Sequence, residues 1–282
     1  MTERVVPSPL RDRCVAMGGA ERIRQFETEG YVVIADALSP ARIAALKAEL
    51  ATMPMRPSFY TDAPSFSTVP PHTHGPEAGA LIGNPPVLDF ARALMGDALV
   101  FMHSFYILSH PGSPALELHT DYQPFGGTYS QWLESCPLRV RVLYYLDDTR
   151  DDRAALRIVP RSHIAFHADA QPYRRYRDHP DEVTVPLKAG DAFVFATRLF
   201  HGVGPNITQE TRGMVEIDYR PLWARPYGPV PDWSEDQLRY VPDALRDMAR
   251  HRNATDAAWE FDTRRAAVDT PAPGMSPHRW GD

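Results

Sequence analysis

Short alternating runs of apolar residues dominate the chain from residue 98 to residue 221. ALVFMHSFYILS, ALELHTDY, LRVRVLYYLDD, ALRIVP, EVTVPL, GDAFVFATRLFHGV and GMVEIDYRP are rich in Val, Ile, Phe and Tyr and are separated by Gly, Pro, Asp and Ser. That texture, with no helical period between most of the runs, predicts seven or more strands in an antiparallel sandwich or barrel. Before residue 98 the period is different. Ile23 and Phe26, then Ile43, Leu46 and Leu50, recur at three- and four-residue intervals, which predicts helices over 20–29 and 39–52, the second with Ser39 as N-cap and Pro40 at N1. GYVVIADAL between them reads as a short strand, and PVLDFARALMG as a helix ending at Gly96. The proline-rich stretch 54–80 shows neither period and reads as an irregular lid or binding loop. The polar stretch 164–182 reads as an interruption capping one mouth of the barrel, and a helix is expected near 233–251, followed by a tail.

Length allows all of this in one unit. A chain of 282 residues can bury a large core, and β folds of this size often stay undivided. The expectation is one domain over 1–282, with a helical N-terminal region (1–97), a jelly-roll core (98–221) and a C-terminal extension (222–282). A net charge of -6 and a pI near 6.0 offer no basic field for nucleic acid. No run of about 18 apolar residues marks a membrane span, and MTERVVPSPLRDRC at the start has no apolar segment of its own, so a cytoplasmic protein, monomer or homodimer, is expected. Cys14 and Cys136 are too few for a disulfide framework and form no CxxC.

Chemistry enters with His119 and Asp121. With 11 histidines and 36 acidic residues, an acid two positions after a histidine is expected about once by composition, and the chain holds three such pairs: His119/Asp121, His167/Asp169 and His179/Asp181. Only the first lies on an alternating run, where positions i and i+2 share a face and project an imidazole and a carboxylate side by side. The other two fall in the polar interruption and read as solvated loop residues. A third ligand has to come from elsewhere, and His201, closing DAFVFATRLF before GVGPN, is the best placed. Two histidines and one carboxylate on a β scaffold suit non-haem Fe(II) with coordination positions open, and suit zinc less well. Arg212, eleven residues further on, carries a planar fork that matches a carboxylate; the plainer reading pairs it with Glu216 or Glu210.

Taken in order, His119-Thr-Asp121, LDDTRDDRAALRIVPRSH, GDAFVFATRLFHGVGPN and Arg212, preceded by FETEGYVVIADALSPARIAAL, resemble the phytanoyl-CoA dioxygenase family of Fe(II)- and 2-oxoglutarate-dependent oxygenases, from about residue 24 to 221. The resemblance implies a double-stranded β-helix, a cupin-like jelly roll, mainly β with flanking α-helices. It implies that His119, Asp121 and His201 bind iron, that Arg212 anchors the distal carboxylate of 2-oxoglutarate, and that dioxygen is consumed to oxidise a small molecule. Three departures stand out. Val203 occupies the position, two after the distal histidine, where the family commonly has a serine assisting that carboxylate; Ala154-Ala155 replaces the usual Asn-Gly; and Arg161 replaces the glycine of Pro-Gly-Ser-His, so a different turn is expected there. Asp121 disfavours halogenation, since related halogenases have a small residue in its place. The alternative is a metal-binding cupin without redox chemistry, an isomerase or a binding module, which gives Arg212 no purpose. Tyr122, Gln123, Tyr106, His103 and the 54–80 and 164–182 stretches are possible pocket walls, and Arg174, Arg175, Arg177 and His179 a possible anion-attracting loop.

Overall fold

The β-branched and aromatic runs pair, in the computed structural model, into two antiparallel sheets; the structure describes residues 9–58, 60–121, 139–164, 179–224, 233–249 and 280–281. In chain order the strands are β1 (Tyr31–Ile34), β2 (Met55–Ser58), β3 (Thr61–Ser67), β4 (Leu99–Ser109), β5 (Leu116–His119), β6 (Val140–Tyr145), β7 (Leu156–Val159), β8 (Val183–Val185), β9 (Ala192–Ala196), β10 (Phe200–Val203) and β11 (Arg212–Pro221). The large sheet runs β1-β9-β6-β11-β4-β3-β2 and the small one β5-β10-β7-β8. From β4 onward the chain crosses repeatedly between the sheets, β4, β6, β9 and β11 in the large and β5, β7, β8 and β10 in the small. That order is the double-stranded β-helix expected from the sequence.

The large sheet is buried on both sides. All ten residues of β11 and all five of β9 are buried. A sheet can hide both faces only if something covers the outer one, and here the helices α1 (Pro9–Val15), α2 (Gly19–Glu29) and α5 (Pro85–Met95) lie near β1 and β11. α5 buries Val87, Leu88, Phe90, Ala91, Leu94 and Met95, and Phe90 meets Phe26 of α2 edge-on at 5.8 Å. Tyr219 of β11 donates its hydroxyl to the Ile82 carbonyl in this outer layer. The helix α3 (Pro40–Leu50) begins as its sequence predicts, with Ser39 Oγ accepting from the Arg42 N–H and Pro40 at N1.

Two expectations need correction, and one helix was not anticipated. The 54–80 stretch is not irregular throughout: β2 and β3 form a hairpin on the edge of the large sheet, followed by the short helix α4 (Pro76–Ala80). Its prolines mislead because Pro57 and Pro64 face each other where the register shifts, and an edge strand with bulges tolerates a missing N–H. The Pro-broken start contains α1, which Pro9 opens and which a buried Arg11–Asp191 pair at 2.6 Å ties to the turn before β9. The helix expected near 233–251 is reduced to turns, a 3-10 turn at Asp243–Leu245 and one helical turn at Arg246–Ala249, divided from what precedes it by Pro242. Most of the 164–182 interruption lies outside the described residues, as do Cys136 and the tail beyond 249 apart from Trp280 and Gly281. Cys14 is a buried free thiol.

Candidate metal centre

Strand pairing, not proximity in sequence, assembles the site. On β10 His201 stands directly opposite His119 of β5, so two imidazoles 82 positions apart face one another, their ring centroids 4.3 Å apart. The two strands come close because Gly202 intervenes: a Cβ there would meet the Leu116 carbonyl oxygen at 2.6 Å. Asp121 follows β5 immediately and is fixed by its own N–H, which donates to the Thr197 carbonyl at 2.8 Å. One nitrogen from each histidine and one carboxylate oxygen lie within 4.8 Å of one another. Asp121 Oδ1 is 3.7 Å from His119 Nε2, and Oδ2 is 3.4 Å from His201 Nε2.

The ring orientations suit a cation. His119 Nδ1 donates to the Glu117 carbonyl at 2.8 Å and His201 Nδ1 to the Leu199 carbonyl at 2.9 Å. A carbonyl only accepts, so each Nδ1 carries a proton, and a neutral ring then presents Nε2 as a lone pair. Burial pushes His201 down to about 4, against the pull of Asp121, so that ring is neutral at physiological pH. Burial alone would raise the Asp121 carboxyl, but Arg141 and the two histidines hold it below the usual carboxylate range. Two lone-pair nitrogens and an ionised carboxylate at these separations repel unless a positive charge stands among them. The donor set is that of the 2-His-1-carboxylate iron sites.

Around these groups, the inner face of the large sheet is polar. Cross-strand partners share a face, so Arg212, Met214, Glu216 and Asp218 of β11, His103 of β4, and Arg141, Leu143 and Tyr145 of β6 all point into the jelly roll. Arg141 binds three carboxylates: Nη1 is 2.9 Å from Asp121 Oδ2, Nη2 is 3.0 Å from Glu216 and Nε is 2.9 Å from Asp218. Arg139 adds a contact to Asp218 at 3.1 Å. His103 sits 3.2 Å from Asp218 and 3.6 Å from Glu216, and the two acids raise it to about 9 despite its burial. His103, Glu216 and Asp218 would also have metal-ligand spacing. Arg139 and Arg141 already supply the positive charge there, so this second cluster reads as a completed ion network.

Arg212 is the opposite case. It is 1% exposed, yet Nε and Nη1 have no hydrogen-bond partner, and no carboxylate among the described residues forms an ion pair with it. Glu216, its neighbour in sequence, is held by Arg141, and Glu210 pairs with Arg153 at 3.0 Å. The plainer reading of Arg212 therefore fails on geometry. A buried guanidinium without an anion fits a carboxylate that arrives with a ligand.

The other sequence candidates divide. His179 Nδ1 accepts from the Asp181 N–H in a tight turn, a local arrangement away from the centre; His167, Asp169, Tyr122, Gln123, Arg174, Arg175 and Arg177 lie outside the described residues. His103 faces inward, whereas Tyr106 stands opposite Val215 on the outer face of the sheet. Arg139, Arg141, Tyr145 and Asp218 were not singled out from sequence. The signal was present, since RVRVLYY and RGMVEID place them at every second position of their strands.

Comparison with known proteins agrees with this geometry. The model of the phytanoyl-CoA dioxygenase family matches residues 26–214. The chain belongs to that family. With it the chain falls among the 2-oxoglutarate-dependent non-haem iron dioxygenases, whose cofactors are Fe(II), 2-oxoglutarate and dioxygen. Among curated relatives, the dioxygenase trt7 of Aspergillus terreus is 31% identical over 119 residues, covering 42% of this chain and 39% of that protein. Among solved structures, HygX of Streptomyces hygroscopicus, with nickel, 2-oxoglutarate and hygromycin B bound, superposes with a TM-score of 0.61 at 20% identity, over 71% of this chain and 86% of its own. The epimerase SnoN in complex with Fe3+, alpha-ketoglutarate and nogalamycin RO gives 0.61 at 21% identity, over 75% and 87%. At those identities the two structures speak for the jelly roll. No helix among the described residues is long and apolar enough to cross a membrane.

Proposed function

We propose that His119, Asp121 and His201 hold Fe(II), that Arg212 anchors the distal carboxylate of 2-oxoglutarate, and that the protein hydroxylates an unactivated C–H bond of a medium-sized organic molecule of specialised metabolism, releasing succinate and carbon dioxide. The observation that carries this reading is the pairing of a three-ligand cluster with a buried, unpaired arginine in the same jelly-roll interior. Iron, 2-oxoglutarate and dioxygen together supply the oxidant that removes hydrogen from carbon. The chain's residues do the rest. The imidazoles are aimed by the carbonyls of Glu117 and Leu199 and the Asp121 carboxylate by Arg141, while the Asp121 backbone N–H is held by the Thr197 carbonyl, so the three donors are oriented by the fold itself. Phe195 packs edge-on against His201 at 4.7 Å and shields that side from water. His103, whose side chain is 23% exposed, carries the polar network toward solvent, and we place the substrate on that side.

Support for the substrate class comes from the neighbours, one holding hygromycin B and the other nogalamycin RO. SnoN is an epimerase, so the shared fold serves outcomes besides hydroxylation, and placement of the substrate over the metal decides among them.

The test measures succinate released from 2-oxoglutarate under air by the Fe(II)-loaded protein, with panels of polyketide-, terpenoid- and aminoglycoside-like compounds. A stimulating compound should gain one oxygen atom by mass. His119→Ala should abolish both succinate release and Fe(II) binding while retaining the fold. Succinate release unchanged in this variant would remove His119 from the site.

A further inference from the structure

Resting on the reading of Arg212 above, one question stays open: which side chain besides Arg212 donates to the carboxylate, with Val203 standing where the resemblance implies a serine? Val203 shares the His201 face of β10 and offers only methyl groups. The anchoring carboxylate has four lone-pair directions, and one guanidinium fork satisfies two of them. A second donor is needed in the same compartment.

Tyr145 is where that donor should be. It stands opposite Met214 across β6 and β11, two positions from Arg212 on the same inner face. The Arg212 guanidinium lies 5.7 Å from the centre of its ring. The side chain is fully buried, and its hydroxyl, like Nε and Nη1 of Arg212, has no hydrogen-bond partner among the described residues. One buried orphan is costly, and two side by side, a cation and a neutral donor, call for a common acceptor. Burial pushes the phenol up to about 12 against the pull of Arg212, so at neutral pH it keeps its proton and can only be satisfied by accepting or by donating to an oxygen.

We infer that the Tyr145 hydroxyl, presented from strand β6, donates to the distal carboxylate of 2-oxoglutarate beside Arg212.

The experiment titrates the anaerobic Fe(II)-loaded protein with 2-oxoglutarate and follows the visible metal-to-ligand charge-transfer band, which reports binding without turnover. Tyr145→Phe should fold as the parent does, because the lost hydroxyl has no partner among the described residues, and should weaken 2-oxoglutarate binding by about 10- to 100-fold, as loss of a hydrogen bond to a charged group does. The control ligand is 2-oxopentanoate, which has the same five-carbon chain without the distal carboxylate. It should bind weakly and equally to the parent and to Tyr145→Phe. Adding Val203→Ser to Tyr145→Phe should recover part of the lost affinity, since it returns a donor from the other strand. Unchanged 2-oxoglutarate affinity in Tyr145→Phe, or an equal loss for both 2-oxo acids, would overturn the assignment. A parent protein that develops no band with 2-oxoglutarate at all would instead overturn the functional reading on which the assignment rests.

Discussion

Two buried arginines face the inside of the same sheet, and their surroundings are opposite. Arg141 touches three carboxylates within 3.0 Å; Arg212 touches none. Neither state is a matter of local sequence, because Arg212 has Glu210 and Glu216 within four positions and Arg141 has no acid nearer in the chain than Asp147. The fold sends Glu216 to Arg141 and Glu210 to Arg153, and leaves Arg212 without a carboxylate among the described residues. A complete ion network supports Asp121, the proposed metal ligand, from behind. The incomplete one is where we propose that a ligand enters. Charge in a protein interior thus has two uses here, and they are told apart by counting partners.

The largest expected effect comes from breaking the complete side. Arg141→Met leaves Asp121, Glu216 and Asp218 in a buried space with only Arg139 and His103 to balance them. Removing one member of a buried ion network destabilises by about 3–5 kcal/mol. Urea unfolding at pH 7 should show a loss of that order, with weakened Fe(II) binding because Asp121 loses its restraint. Arg141→Lys should recover only part of the loss, since a single ammonium cannot reach three carboxylates as the guanidinium fork does. A variant as stable as the parent would mean the network carries no weight.

Next in size is the pH dependence of the same network. His103 faces Asp218 and Glu216, with Arg139 and Arg141 beyond them, and its folded value near 9 lies above the ordinary 6.5. A raised value means that the folded state binds the proton more tightly than the unfolded one. The resulting stability is fully present below pH 6.5 and is lost as pH rises through 9, a decline of order 3 kcal/mol. His103→Gln keeps a donor and cannot titrate, so its stability should be flat between pH 6.5 and 9. A parent protein with an equally flat profile would place the histidine outside the network.

How much of this was legible beforehand follows from the range of each interaction. The strands and the His119/Asp121 pair could be read because alternation is local and i, i+2 residues share a face. His201 could be nominated, but its pairing opposite His119 depends on the register of strands separated by most of the core. The turns at Ala154-Ala155 and Arg161 were expected to differ, yet Ala154, at the Asn of the implied Asn-Gly, and Arg161, at the implied glycine, hold left-handed backbone (φ 48 and 68), the region glycine and asparagine favour; a side chain there tolerates strain when the surrounding structure fixes it. Arg161 is fixed by Glu29, 132 positions away. The β2–β3 hairpin was hidden because proline signals a break in a central strand and only a mild defect at an edge.

The smallest effect is the most discriminating, because it reverses the sign expected at Arg141. Replacing an unpartnered buried guanidinium with an apolar side chain of similar length removes a desolvation penalty and gives up only the stacking on Tyr145, worth about 1 kcal/mol. Arg212→Met should therefore leave the ligand-free protein as stable as the parent or up to about 2 kcal/mol more stable by urea unfolding. With Fe(II) already bound to both proteins, adding 2-oxoglutarate should stabilise the parent by about 2.7 kcal/mol more at a hundredfold excess over Kd and leave the variant almost unmoved by that addition. If Arg212→Met instead loses several kcal/mol without ligand, Arg212 is a structural cation like Arg141, with its partner among the residues around it, and the contrast between the two arginines disappears.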